Sequence, residues 1–187
     1  DPAECGPVTL ALCQDVQAEA YDYPESFFIE RLWTPRRPRS DRDELKAAAE
    51  ALKAAKKPLI VAGGGVLYSG ASDELARFSA ATGTPVCETQ GGKSALPDDN
   101  ALNMAAVGVT GTEAANRLAA EADLVLAVGT RLQDFTTGSW ALFGAAQKTI
   151  IGLNVQSFDA GKHRALPVVA DAREGLAELA QAIGDWK

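Results

Sequence analysis

Gly63-Gly64-Gly65 follow directly on the apolar run Leu59-Ile60-Val61-Ala62. Glycines after a buried strand let a phosphate approach the backbone closely. The dinucleotide fingerprint G-x-G-x-x-G/A starts properly at Gly63 and Gly65, but its sixth place is Tyr68. Glu88, closing the next apolar run, stands where a ribose-binding acid would sit. The helical pattern resumes only near Ser72, which sets its N-terminal amides back from the glycines. The plainer reading is a tight turn that needs glycine, with positive φ at Gly63 or Gly64. Gly91-Gly92-Lys93-Ser94 ends like a P-loop, yet Cys87 takes the place of the first glycine and Pro97 interrupts any helix beyond it. ATP hydrolysis is therefore discounted.

Arg131 and Asp134 follow the apolar run Leu124–Val128, at the carboxyl end of a strand, where open α/β sheets bind ligands. An ion pair between them is the simpler expectation. The sole histidine, His163, lies between Lys162 and Arg164 and reads as an exposed loop residue rather than a catalytic base. No G-x-S-x-G elbow accompanies it. Cys5, Cys13 and Cys87 form no C-x-x-C pair, and they do not cluster in sequence with the sole histidine as zinc ligands do. Three free thiols in a reducing cytoplasm are expected.

The elements that position these groups follow from apolar patterning. Leu59–Ala62, Pro85–Thr89, Leu124–Val128, Thr149–Asn154 and Leu166–Val169 read as strands buried on both faces. Between them, helical spacing appears at Leu45, Ala48, Ala49 and Leu52, at Leu75 and Phe78, and at Leu176, Leu179, Ala180 and Ile183. Ser40 with Asp43, Thr110 with Glu113, and Asp171 with Glu174 are the candidate helix starts. Gln90–Met104 and Gln133–Gln147 read as long irregular stretches. The pattern is α/β: a doubly wound, mainly parallel sheet of about six strands.

Three regions emerge. Residues 1–24 read as the tail of an upstream domain whose last strand is Val8–Leu12. Residues 25–40 form an aromatic connector, and residues 41–187 the domain proper. Tyr21, Tyr23, Phe27, Phe28 and Trp33 are expected to pack on the domain, on a second copy, or on both, which favours self-association. The basic cluster Pro35-Arg36-Arg37-Pro38-Arg39 reads as a solvated linker. A net charge of −7 argues against a nucleic-acid partner. No apolar run reaches the roughly 18 residues of a membrane span.

Several motifs, taken in order, resemble the thiamine-diphosphate-dependent enzymes of the acetohydroxyacid synthase and pyruvate decarboxylase superfamily. Gly6-Pro7-Val8-Thr9-Leu10-Ala11-Leu12 with Gln14-Asp15-Val16 resembles the end of their pyrimidine-binding domain. Lys57–Gly65, Gly92–Pro97 and Ala122–Arg131 resemble their central domain. Gln14–Pro24, Glu88–Ser94, Leu132–Trp140 and Asn154–Ala160 resemble a branch that hydrolyses a carbon–carbon bond of a cyclic diketone in myo-inositol catabolism. Cys13 departs from the proline usual at that place.

The resemblance implies a Rossmann-like central domain with no catalytic residue and no metal ligand of its own. Thiamine diphosphate and Mg2+ would bind to flanking domains of a full-length parent enzyme. Its partners would be those domains and further copies of the chain in a homo-oligomer. Some relatives hold FAD or another ADP-containing ligand in this domain. Here its lining would be Gly63, Gly64, Gly65, Gly129, Thr130, Arg131 and Asn154. Two alternatives stay open: a self-sufficient domain binding FAD, NAD or ADP, and the central domain of an acetolactate-synthase-like enzyme.

Overall fold

The computed structural model describes residues 1–144 and 148–187. Residues 145–147, at the end of the Gln133–Gln147 stretch, lie outside the described residues. Six strands form one parallel sheet: β1 (Pro58–Ala62), β2 (Val86–Glu88), β3 (Asn103–Ala106), β4 (Leu124–Val128), β5 (Thr149–Asn154) and β6 (Leu166–Val169). Their spatial order is β3-β2-β1-β4-β5-β6. The chain winds one way from β1 and then the other, so the switch point lies between β1 and β4. Those two strands run in register, Leu59 beside Val125 and Val61 beside Ala127.

Alternate side chains point to opposite faces and build two cores. On one face Ile60, Leu126, Ile151 and Leu153 are buried under α2 (Arg42–Ala54), α4 (Ser72–Thr82) and α8 (Ala172–Ile183). The helices contribute Ala48 and Leu52, Leu75 and Phe78, and Leu176 and Leu179. On the other face Leu59, Val61, Cys87, Val125 and Ala127 pack beneath Ala115 and Ala119 of α5 (Glu113–Glu121), with Leu132 and Phe143. Each fully buried Leu or Ile of this kind contributes roughly 1.5–3 kcal/mol from apolar area.

The local signals are offset in several places. The first domain helix is capped by Asp41, which accepts from the amides of Asp43 and Glu44, and not by Ser40. Aspartate is as good a cap as serine and stands one residue nearer the apolar face. Helix α5 is capped by Thr112, whose hydroxyl accepts from Ala115 N–H, and not by Thr110. Asp171 does cap α8, through Arg173 N–H. Helix α4 ends at Gly83, in the left-handed region at φ 68°. β3 starts at the end of the Gln90–Met104 stretch and runs past it to Ala106; a short, half-buried edge strand carries no apolar run.

The N-terminal region departs most from expectation. Val8–Leu12 is not a strand: Val8 is 93% exposed, and no partner strand lies beside it among the described residues. A lone extended segment has nothing to satisfy its backbone except water. α1 (Gln14–Ala18) buries no residue. The aromatics do not pack on the domain either; Tyr21, Tyr23, Phe27, Phe28 and Trp33 are all more than half exposed. Tyr23 and Phe27 stack instead on each other, with ring centroids 4.9 Å apart, and Phe28 leans on Phe27 at 5.3 Å. The basic cluster is not a free linker, since Arg37 and Arg39 are bonded to the domain.

Candidate functional site

The switch point brings the expected residues together. Gly63–Gly65 leave β1, Gly129–Arg131 leave β4, and Asn154 ends β5, all at the carboxyl ends of adjacent strands. Gly63 N–H donates to Val128 O at 2.8 Å, and Gly65 N–H donates to Gly129 O at 2.9 Å. Gly129 N–H donates in turn to Leu153 O at 2.8 Å. Asn154 Nδ2 reaches Thr130 O at 3.4 Å, and its Oδ1 accepts from Gln156 N–H.

Why these positions are glycine is a matter of approach, not of dihedral angle. Gly63 has φ −108°, and among these turn glycines only Gly129, at φ 59°, lies in the left-handed region. The expected positive φ at Gly63 or Gly64 is absent. A β-carbon on Gly65 would lie 2.6 Å from Gly129 Cα, and one on Gly63 would fall on Gly129 O. On the other side Gly92 packs on Ala62 O, and Gly91 O is 3.1 Å from where a Gly64 β-carbon would sit. Three strand ends are thus drawn together through backbone contacts. Gly91 and Gly92, which looked like a failed P-loop, form the third member of this seam as a 3-10 turn over Gln90–Gly92. Glycine pairs in successive strand-end turns were the signal for it.

The helix α3 (Gly64–Tyr68) does begin on the glycines, contrary to the sequence expectation. Its five residues were too few to show a helical period. The amides that would cradle a pyrophosphate are nevertheless engaged, since Gly63 and Gly65 donate to β4 and its turn. Glu88 is also turned inward. It is 3% exposed, and Oε1 accepts from Leu96 N–H at 3.0 Å, which fixes the loop after β2. No ribose hydroxyl is needed to satisfy it.

Arg131 is exposed and lies against the side-chain amide of Gln133. The Arg131–Asp134 ion pair does not form among the described residues. Asp134 instead opens the short helix α6 (Asp134–Thr137). His163 is exposed, as expected, with its ring 4.0 Å from that of Trp140. Burial lowers its pKa; a bond with the Leu132 backbone opposes this, and Lys162 adds to it. Cys87 is a buried free thiol pushed up to about 12 by burial and by neighbouring Glu88. Neither group is poised for acid–base or nucleophilic work. The rim around the seam carries Tyr68, 90% exposed, with Phe135 and Phe158 also open to solvent.

Among the described residues no three His, Cys, Asp or Glu side chains gather to hold a metal ion.

A parallel 3-2-1-4-5-6 sheet with glycine turns packed together at its switch point defines a Rossmann-like domain. The sequence profile of the thiamine pyrophosphate enzyme central domain matches residues 45–179, and the chain belongs to that family. Three similar curated proteins are named 3D-(3,5/4)-trihydroxycyclohexane-1,2-dione hydrolase. That of Geobacillus thermodenitrificans (strain NG80-2) is 46% identical over 186 residues, covering 100% of this chain and 29% of the relative. Those of Bacillus subtilis (strain 168) and Clostridium perfringens (strain 13 / Type A) are each 46% identical over 179 residues, covering 96% of this chain and 28% of theirs. The chain thus spans under a third of the length of these relatives.

Proposed function

We propose that this chain is the central, non-catalytic part of a thiamine-diphosphate-dependent hydrolase that opens trihydroxycyclohexane-1,2-dione at a carbon–carbon bond in myo-inositol catabolism. In the longer enzyme it spaces the two domains that bind thiamine diphosphate and Mg2+. It acts in the cytoplasm as part of a homo-oligomer. The observation that carries this is an alignment at 46% identity that covers 100% of the chain, tail and connector included. A shared nucleotide-binding fold alone would not extend the match through the connector. No helix of the described residues is long and apolar enough to cross a membrane.

The test is to assay the longer enzyme that contains this chain, supplied with thiamine diphosphate and Mg2+, on the cyclic diketone. Ring opening that stops when the cofactor is removed supports the proposal. Turnover of pyruvate to acetolactate, with none of the diketone, would favour the acetolactate-synthase-like alternative.

A second reading has its own observation behind it. Thr130, Arg131 and Asn154 converge on the rim outside the sealed seam. An ADP-containing ligand would lie there, its phosphates on Arg131 rather than on the glycine amides. Thermal shift with ADP, FAD and NAD tests it; stabilisation by ADP that Arg131→Ala removes would support it, and no shift at millimolar ADP would end it.

A further inference from the structure

β6 is an edge strand, with β5 on one side only. Ala170 N–H donates to Asn154 O of β5, so by the alternation of a strand residues 167, 169 and 171 face outward. An open row of donors of this kind invites pairing with another chain. Here each outward position is closed. Residue 167 is proline and has no N–H. Val169 N–H donates to Glu44 Oε2 at 2.8 Å, and Asp171 N–H donates to Pro38 O at 2.9 Å.

Both closing groups belong to one segment, residues 37–44, and that segment is gripped along its length. Arg37 donates to Ser69 O at 2.6 Å and to Asp171 Oδ2 at 2.9 Å. Ser40 N–H donates to Glu178 Oε2 at 2.9 Å, and Arg39 lies 3.2 Å from Glu174 and 3.7 Å from Glu178. Asp171, 4% exposed, is the hub: it caps α8, binds Arg37 and gives its amide to Pro38. By contrast, among the described residues no hydrogen bond or ion pair ties the arm before it to the domain. Residues 1–30 hold seven acids (Asp1, Glu4, Asp15, Glu19, Asp22, Glu25, Glu30) and no lysine or arginine. With 25 acids and 18 bases in all, the rest of the chain balances at 18 of each, so the whole net charge of −7 sits on the arm.

We propose that residues 37–44 are a polar latch which seals the sheet's open edge at β6 and fixes where the acidic, aromatic arm leaves the domain. The latch opens without unfolding the sheet, because among the described residues its bonds are to the edge strand β6 and Asp171 beyond it, to α8 and to the Ser69 carbonyl at the end of α3, and none is to β1 or β4. Opening it releases the arm and bares the Val169 and Asp171 amides for pairing.

Hydrogen exchange and trypsin on the intact chain read this directly. Arg39–Ser40 is a tryptic bond held shut by the latch, whereas Arg37–Pro38 resists trypsin in any state. In Arg37→Gln, exchange at Val169 and Asp171 and cleavage after Arg39 should each rise about tenfold, as expected when a charge-assisted bond leaves a local opening. Exchange at Val61 and Leu126 should stay at the wild-type rate. Wild type moved from about 0.1 M to about 1 M NaCl should change in the same direction, because the partly exposed ion pairs are screened, and this arm decides the matter if the variant does not fold. Unchanged exchange at the edge, or Val61 and Leu126 accelerating together with it, would overturn the proposal.

Discussion

Substituting Gly65 by alanine tests whether the glycine turn exists for chain packing or for a ligand. The new methyl would lie 2.6 Å from Gly129 Cα and 3.0 Å from Gly129 O, both backbone atoms at the end of β4. Neither can swing aside as a side-chain tip would, so β1 and β4 must part by several tenths of an ångström. Forcing a methyl into a close-packed site costs about 1–3 kcal/mol. Stretching the Gly65 N–H bond to Gly129 O, now 2.9 Å long, costs about a further 1 kcal/mol. The expected loss is therefore about 2–4 kcal/mol. For a chain of this size that is a fall in Tm of roughly 5–15 °C. Gly70→Ala makes the control: its φ is +63°, but nothing lies within 4 Å of the added carbon. It should cost only the left-handed penalty of about 1–2 kcal/mol. Differential scanning calorimetry without nucleotide measures both. If Gly65→Ala melts with wild type, or loses stability only relative to an ADP-bound state, the packing account of these glycines is wrong.

Removing residues 1–34 should leave Tm within about 1 °C, because the arm buries almost nothing against the domain, and Trp33, 82% exposed, should emit as in water until it is cut away. Iodoacetamide at pH 8 should modify Cys5 and Cys13 while Cys87, whose pKa is about 12, reacts only after unfolding, as a mass shift of two rather than three adducts reports. Leu179→Ala, at a fully buried site of α8, should cost about 2–5 kcal/mol in urea melts without changing the m-value. The Asp123 carboxylate accepts from the amides of Lys56 and Lys57 at 2.8 and 2.9 Å. Desolvation raises its pKa, but these and two further backbone bonds together outweigh that and lower it. Its contribution is present above the unfolded carboxylate pKa and is lost as pH falls through the lower folded value. Asp123→Asn should therefore narrow the gap between wild type and variant as pH drops from 6 towards 3, as acid melts would show.

The strands that could be read were those with an apolar run and no polar interruption: β1, β4, β5 and β6 all appear where Leu59–Ala62, Leu124–Val128, Thr149–Asn154 and Leu166–Val169 placed them. β2 is shorter than its run, and β3 left no signature because Asn103–Ala106 is half-buried at an edge. Helix faces were legible from spacing, but caps slipped by one or two residues wherever two capping residues stood close together, as Ser40 and Asp41 do. Residue types placed the switch-point glycines together correctly. They did not reveal what the glycines do, because a contact between Gly65 and Gly129 joins positions 64 residues apart and has no local pattern. The same holds for Arg37, whose partners Ser69 and Asp171 are remote in sequence. The aromatics of the arm misled for the opposite reason: their size argues for burial, yet they stay more than half exposed beside the domain.

Isothermal titration of this chain with thiamine diphosphate and Mg2+, run beside the longer enzyme, tests the central claim most directly. The account predicts saturable binding by the longer enzyme and only dilution heat from the chain itself. Saturable heat at micromolar cofactor from the chain alone would contradict it and place the cofactor site inside the central domain.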